Sequence, residues 1–223
     1  MNSPTLARSV RSIEAAATAG LVYAVLYSVS LILLTSAPEA SVPDAELTDW
    51  YSDPDNRAML VVGLALSVAS TIAFLWFLAV VRRRVGDRED QFFATVFLGS
   101  GILLSGVALI GASVLASPSL TIDLADGRVP DWSALSSLTG LGNTLFFFVL
   151  LRVQAVFVVS TSTLAMRTGT FSRYLSYLGY VTALAMFVMP IATEPLGFAF
   201  PIWVAILSLA LITRRTDMRG SLR

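Results

Sequence analysis

Six stretches in which apolar residues run almost unbroken, at 14–36, 58–81, 93–117, 136–164, 172–190 and 196–213, alternate with shorter polar gaps. A helix of about 20 apolar residues spans the hydrocarbon core of a bilayer, and it satisfies its own backbone groups where water is absent. The pattern predicts an all-α membrane protein, a six-transmembrane-helix bundle forming one polytopic domain over residues 1–223, with little chain left for a soluble domain. The first stretch follows Arg8 and Arg11 as a signal peptide would. Its apolar run exceeds the roughly 7–15 residues of a signal-peptide core, so it reads as a retained helix.

Within the stretches, small residues recur at helical spacing. The first carries Ala16, Gly20, Ala24 and Ser28, the second Ala65, Ala69 and Ala73, and the third Gly101, Ser105, Ala108, Ala112 and Ala116. Such stripes let helix backbones approach closely where lipid offers no hydrophobic contrast, and they serve either packing within one subunit or an interface with a second protein. Pro190 and Pro195 predict a tight turn between the fifth and sixth helices. Pro201 then falls inside the sixth, where a missing backbone donor predicts a kink. Three helices per half would make any internal repeat inverted, but the halves share no motif.

The charges orient the bundle. Arg8, Arg11, Arg82, Arg83, Arg84, Arg88, Arg167, Arg173, Arg214, Arg215, Arg219 and Arg223 fall in the gaps on the side of the N-terminus, against only Arg57 and Arg128 on the other. The positive-inside rule therefore predicts that both termini are cytoplasmic, as in a protein of the cytoplasmic membrane. Ten acidic residues, from Glu39 to Glu194, gather on the opposite side. There the gap 37–57 is long enough for a surface helix beginning at Pro43-Asp44, with Trp50-Tyr51 at headgroup level. Asp53-Pro54 reads as N-cap and first residue of the second membrane helix, and Asp131 as a cap leading into the fourth. The loop carboxylates lack the spacing and glycine of an EF-hand, so a solvated, capped loop is the plainer reading of them.

Composition narrows the chemistry. Hydrophobic residues make up 56% and charged residues 13%, outside the range of soluble domains. The chain has no Cys, no His and no Lys; all fifteen basic residues are Arg. That removes disulfides, the usual zinc ligands, Cys-held clusters and His-ligated haem, together with Ser-His and Ser-Lys pairs and every lysine Schiff base. No cofactor or metal is expected, and no nucleic-acid partner.

One charge is out of place. Arg152 lies in the run Leu145-Phe146-Phe147-Phe148-Val149-Leu150-Leu151-Arg152-Val153-Gln154, about 18–24 Å along the axis from either end of the fourth stretch. A guanidinium at that depth costs roughly 2.5–3.5 kcal/mol on insertion scales, so it is expected to face the bundle and to have a partner or a wet cavity. No carboxylate occupies the middle of another stretch. The candidate ligand-binding set is therefore Arg152 with Gln154, Asn143, Tyr23, Tyr27, Tyr177 and Tyr180, together with exposed backbone carbonyls, and Glu14 if the first helix tilts inward. Two readings stand: an arginine tying helices together, and a cation awaiting a carboxylate, a phosphate or a lipid headgroup.

Asp123-Leu124-Ala125-Asp126-Gly127 matches the opening of the CDP-alcohol phosphotransferase motif. Pro130-Asp131 stands where that family needs Ala-Arg, and its later glycine and aspartates do not follow. A solvated loop with an Asp-Gly turn fits better. The run from Met166 through Arg167-Thr168-Gly169 and Ser172-Arg173-Tyr174-Leu175 to Leu178-Gly179 resembles a recurring R-T-G-x-x-P/S-R-W/Y-L-x-x-L-G pattern in actinobacterial six-helix membrane proteins of unassigned activity. Phe74-Leu75-Trp76-Phe77-Leu78 before Arg82-Arg83-Arg84 is similar to their second helix. The resemblance implies the six-helix layout and carries no mechanism. The expectation is a non-enzymatic membrane component acting through membrane lipid, a membrane-protein partner or a second copy of itself. The alternative is a small transporter or channel with an anionic substrate or lipid headgroup near Arg152.

Overall fold

The computed structural model describes residues 3–39, 41–85, 91–169, 172–188 and 194–220, with side chains over 18–39, 41–82, 94–169, 172–188 and 195–212. In chain order the helices are α1 Ser3–Leu34, α2 Asp44–Ser52, α3 Pro54–Val85, α4 Gln91–Leu124, α5 Trp132–Asn143, a π-helical segment Thr144–Leu150, α6 Leu151–Thr168, α7 Arg173–Val188, α8 Glu194–Gly197 and α9 Ala199–Gly220. No strand occurs among the described residues. Four helical stretches are long and apolar enough to cross a membrane: 54–82, 94–124, 132–168 and 195–212. A shorter apolar helix covers 18–34. The chain is thus a multi-pass membrane protein by the length and apolarity of its helices.

Several sequence boundaries shift for identifiable reasons. The third stretch was expected to end at 117, before Pro118, yet α4 runs on to Leu124. Proline removes the backbone donor that would bond Val114, and the Ser117 hydroxyl takes its place, donating to the Val114 carbonyl at 2.9 Å. Pro201 lies inside α9, as expected, but in its first turn, where no intrahelical donor is needed. Pro190 lies outside the described residues, as do the side chains of Ala16, Glu14, Glu194 and most of the cytoplasm-assigned arginines.

The predicted surface helix and the Asp53 cap form, with two differences nearby. Asp53 Oδ1 accepts from the Asp55 backbone N–H at 2.9 Å as α3 begins, and α2 starts at Asp44 behind Pro43. Asp131 precedes α5, but its side chain makes no capping bond; its backbone carbonyl accepts from Ala134 and Leu135. Tyr51 is not at a headgroup surface: it is buried, with its phenol hydrogen-bonded to Thr139 of α5. Asp126 and Gly127 both take the left-handed backbone that an Asp-Gly turn requires.

The small-residue stripes of α1 and α4 face inward. Gly20 and Ala24 are buried, as are Gly101, Ser105, Ala108, Ala112 and Ala116, whereas Ala65 of α3 is exposed. A Cβ on Gly101 would meet Leu78 at 2.9 Å, and one on Gly111 would meet Phe146 at 2.7 Å, so α4 lies closely on α3 and on the π-helical segment. Antiparallel α6 and α7 are fixed in register by Thr163 Oγ1 and Tyr180 Oη, 2.9 Å apart. Eight residues on, Val188 stands about level with Ala155.

Candidate functional site

Arg152 stands one residue into α6, just after the π-helical segment. A π-helical turn widens the backbone spiral, its carbonyls bonding five residues on instead of four, and such turns recur at functional sites. The guanidinium reaches back to this segment: Nη1 donates to the Phe147 and Phe148 carbonyls at 3.1 Å each. Its carbon lies 4.0 Å from the centre of the Phe148 ring, in cation–π range. The side chain therefore runs back along its own helix, toward the helix N-terminus as helical side chains do.

This geometry corrects the expected direction. Arg152 does not point into the middle of the bundle; it is half-buried and shares its stripe, four residues apart, with exposed Phe148 and Val156. Gln154 lies on the opposite face of α6, fully buried, with Nε2 donating to Tyr27 Oη at 3.3 Å. Tyr180 pairs with Thr163, Tyr177 is exposed, and half-buried Asn143 sits at the junction of α5 with the π-helical segment. Tyr23 is buried with a phenolic oxygen that has no hydrogen-bond partner. Of the sequence-predicted set, Gln154 and Tyr27 form one polar pair; Arg152 forms another arrangement with backbone carbonyls, the partner class that the sequence also offered.

The centre of the bundle is filled by rings of which the candidate set named only Tyr23. Phe157 stacks on Phe97 at 5.1 Å between ring centres, meets Phe74 edge-on at 5.3 Å and Phe200 at 5.9 Å. Tyr23 adds to Phe74 at 5.1 Å and Phe200 at 5.9 Å, and Trp203 stacks on Phe200 at 6.3 Å. All are buried, and they come from α1, α3, α4, α6 and α9. Offset and edge-to-face pairs of this kind contribute about 0.5–1.5 kcal/mol each beyond burial. No local sequence signal marks the cluster, since each ring is an ordinary apolar residue on its own helix.

Toward the loop side, Arg57 links three helices. Its Nε donates to Asp123 Oδ1 of α4 at 2.7 Å, and Nη1 donates to the Tyr51 and Ser52 carbonyls at the end of α2 at 2.9 and 3.0 Å. Trp132 Nε1 of α5 donates to the Val42 carbonyl at 3.3 Å. Among the described residues no group of three or more carboxylates converges as a metal site would require. No protein-family profile, curated protein or solved structure matches this chain. What the geometry offers chemically is hydrogen bonding and a stacked cation, without a nucleophile–base pair among the polar groups just described.

Proposed function

We propose that this protein is a non-enzymatic component of the bacterial cytoplasmic membrane, with six spans and both termini in the cytoplasm, that acts through lipid or a membrane-protein partner. The observation that carries this reading is the aromatic plug. A transport route through the middle of the helices would have to pass Phe74, Phe157 and Phe200, which are fully buried against one another. The stripe Phe148-Arg152-Val156 supports the same reading, because it lies on the face of α6 opposite the buried Gln154 and away from the ring cluster. The six spans are supported by α1 and α7, which complete the frame of the four longest apolar helices, and the orientation by twelve arginines against two.

Reconstituted vesicles test the function. Anion leakage, followed with chloride and inorganic phosphate, is expected to equal that of protein-free vesicles. A protein-dependent flux abolished by Arg152→Gln would establish the transporter instead. For orientation, cysteines at exposed Ser41 and Ser133 are expected to react with an impermeant thiol reagent from outside, and one at Ser221 only after lysis.

A further inference from the structure

Near the α6–α7 turn, the facing surfaces of α6, α7 and α9 hold three polar groups with nothing to bond. Ser162 Oγ, Ser176 Oγ and Trp203 Nε1 are each buried and have no hydrogen-bond partner. They line one recess, walled otherwise by Thr161, Ala165, Leu175 and Leu207. Gly179 brings the helices together there: a Cβ on it would overlap Ser162 Oγ and stand 3.2 Å from Trp203 Nε1. Buried polar groups are nearly always paired, so three orphans on one recess point to an absent acceptor. The indole can only donate, and each hydroxyl can donate to the same atom or a neighbouring one. The Thr161 hydroxyl already donates, to the Phe157 carbonyl at 2.7 Å.

The recess holds about 160 Å³ of empty space but is too narrow to admit a water-sized sphere as it stands. An oxygen enters only if a wall moves. The sparse seams are those of α9 with α6 and α7, since α7 is held chiefly by α6, and α9 by α1. Beside the recess on α7, Tyr174, Tyr177 and Leu178 are exposed, as the lipid-facing side of a membrane helix would be. Arg167 and Arg173 are exposed at the adjoining helix ends, within about 8 Å along the axes of Ser162 and Ser176 respectively.

We propose that the α6–α7–α9 recess binds a glycerophospholipid of the cytoplasmic leaflet, taking an ester oxygen on Ser162, Ser176 and Trp203 and leaving the phosphate to Arg167 and Arg173. The order of donors matches such a molecule: cations at the helix ends for the phosphate, and uncharged donors one to two turns deeper for the ester oxygen. The leaflet assignment rests on the proposed orientation of the termini; the binding chemistry does not.

The test uses the full chain in lipid-free detergent, titrated separately with phosphatidylglycerol and with inorganic phosphate, reading thermal unfolding and lipid adducts by native mass spectrometry. The double variant Ser162→Ala/Ser176→Ala removes two orphan hydroxyls, so its unfolding temperature without lipid is expected to equal or exceed that of wild type. Its affinity for phosphatidylglycerol is expected to fall at least tenfold. Trp203→Phe keeps a ring and loses the donor, and is expected to weaken lipid binding in the same direction. A drop in lipid-free stability with unchanged lipid affinity would overturn the proposal, because the hydroxyls would then serve packing alone. Equal lipid-dependent gains in all three proteins would overturn it as well. A gain from inorganic phosphate as large as that from the lipid would replace the lipid with a free anion. Thiol labelling at Ser221 from outside would overturn the leaflet assignment and the proposed orientation while leaving the affinity comparison intact.

Discussion

The Arg152 guanidinium lies 4.0 Å from the centre of the Phe148 ring while its Nη1 holds the Phe148 carbonyl at 3.1 Å, so one residue supplies both an aromatic face and an acceptor to the same cation. The Phe147 carbonyl, in the π-helical segment, adds a second acceptor at 3.1 Å. Arg152→Leu leaves these carbonyls without that donor, and a loss of about 1–3 kcal/mol is expected. Arg152→Lys keeps a charge and donors but not the planar stack, and is expected to lose less. Thermal unfolding in detergent ranks them; a leucine variant as stable as wild type would show that the carbonyls do not need the guanidinium.

Glycines divide by what faces them. A Cβ on Gly179 overlaps Ser162 Oγ, and one on Gly20 overlaps Ser208 Oγ, whereas Gly99 and Gly106 of α4 meet nothing within 4 Å. Gly179→Ala and Gly20→Ala are expected to destabilise by about 1–3 kcal/mol through overpacking. Gly106→Ala is expected to be neutral or to stabilise by up to about 1 kcal/mol, since alanine favours the helix. Combining Gly179→Ala with Ser162→Ala should recover part of the loss, a positive coupling in a double-mutant cycle. Failure of Gly106→Ala to be tolerated would mean that a partner packs on that face.

Helix positions were legible because length and apolarity are local properties, and the capping of α3 by Asp53 was legible because its geometry spans only two residues. The continuation of α4 past 117 was not legible, because the Ser117 hydroxyl that stands in for the donor Pro118 lacks shows its bond to Val114 only in the folded turn. The place of Arg152 inside a long apolar helix could be read from the sequence, but its direction could not. An ideal 3.6-residue spiral loses phase in the π-helical segment just before it, and that segment carries the two carbonyls that receive the guanidinium. The aromatic plug and the orphan donors of Ser162, Ser176 and Trp203 depend on which helices meet, and nothing in their own neighbourhoods along the chain records that.

Tyr51 gives a pH signature on the α2 side. Burial pushes its phenol up from the ordinary value of 10.0, and the hydrogen bond with Thr139 pulls in the opposite direction without prevailing. The folded protein therefore holds this proton more tightly than the unfolded chain does. The contribution to stability is complete below the unfolded value and is lost as pH rises from there through the folded one. Tyr51→Phe is expected to cost about 0.5–1.5 kcal/mol at neutral pH, for the lost hydrogen bond. The gap in unfolding temperature between wild type and variant should then shrink above about pH 10. A gap that is constant with pH would show that the Tyr51 phenol is not perturbed.

Arg57 and Asp123 are unequal partners in their ion pair. Asp123 is half-exposed at 49%, while Arg57 is 13% exposed and also holds the Tyr51 and Ser52 carbonyls. An exposed carboxylate is screened by water and salt, so Asp123→Asn is expected to cost less than about 1 kcal/mol, and less still at high ionic strength. Arg57→Met removes the donor for two carbonyls at the end of α2 as well as the ion pair, and is expected to cost about 1–3 kcal/mol with little dependence on salt. With that clamp gone, α2 keeps its packing against α3 and α5, the Asn56 side chain on the Trp50 carbonyl and the Tyr51–Thr139 hydrogen bond. Reactivity of a cysteine at Ser52 should rise in Arg57→Met and stay near the wild-type rate in Asp123→Asn. Equal losses in the two variants would show that the ion pair, and not the carbonyl bonds, holds α2 in place.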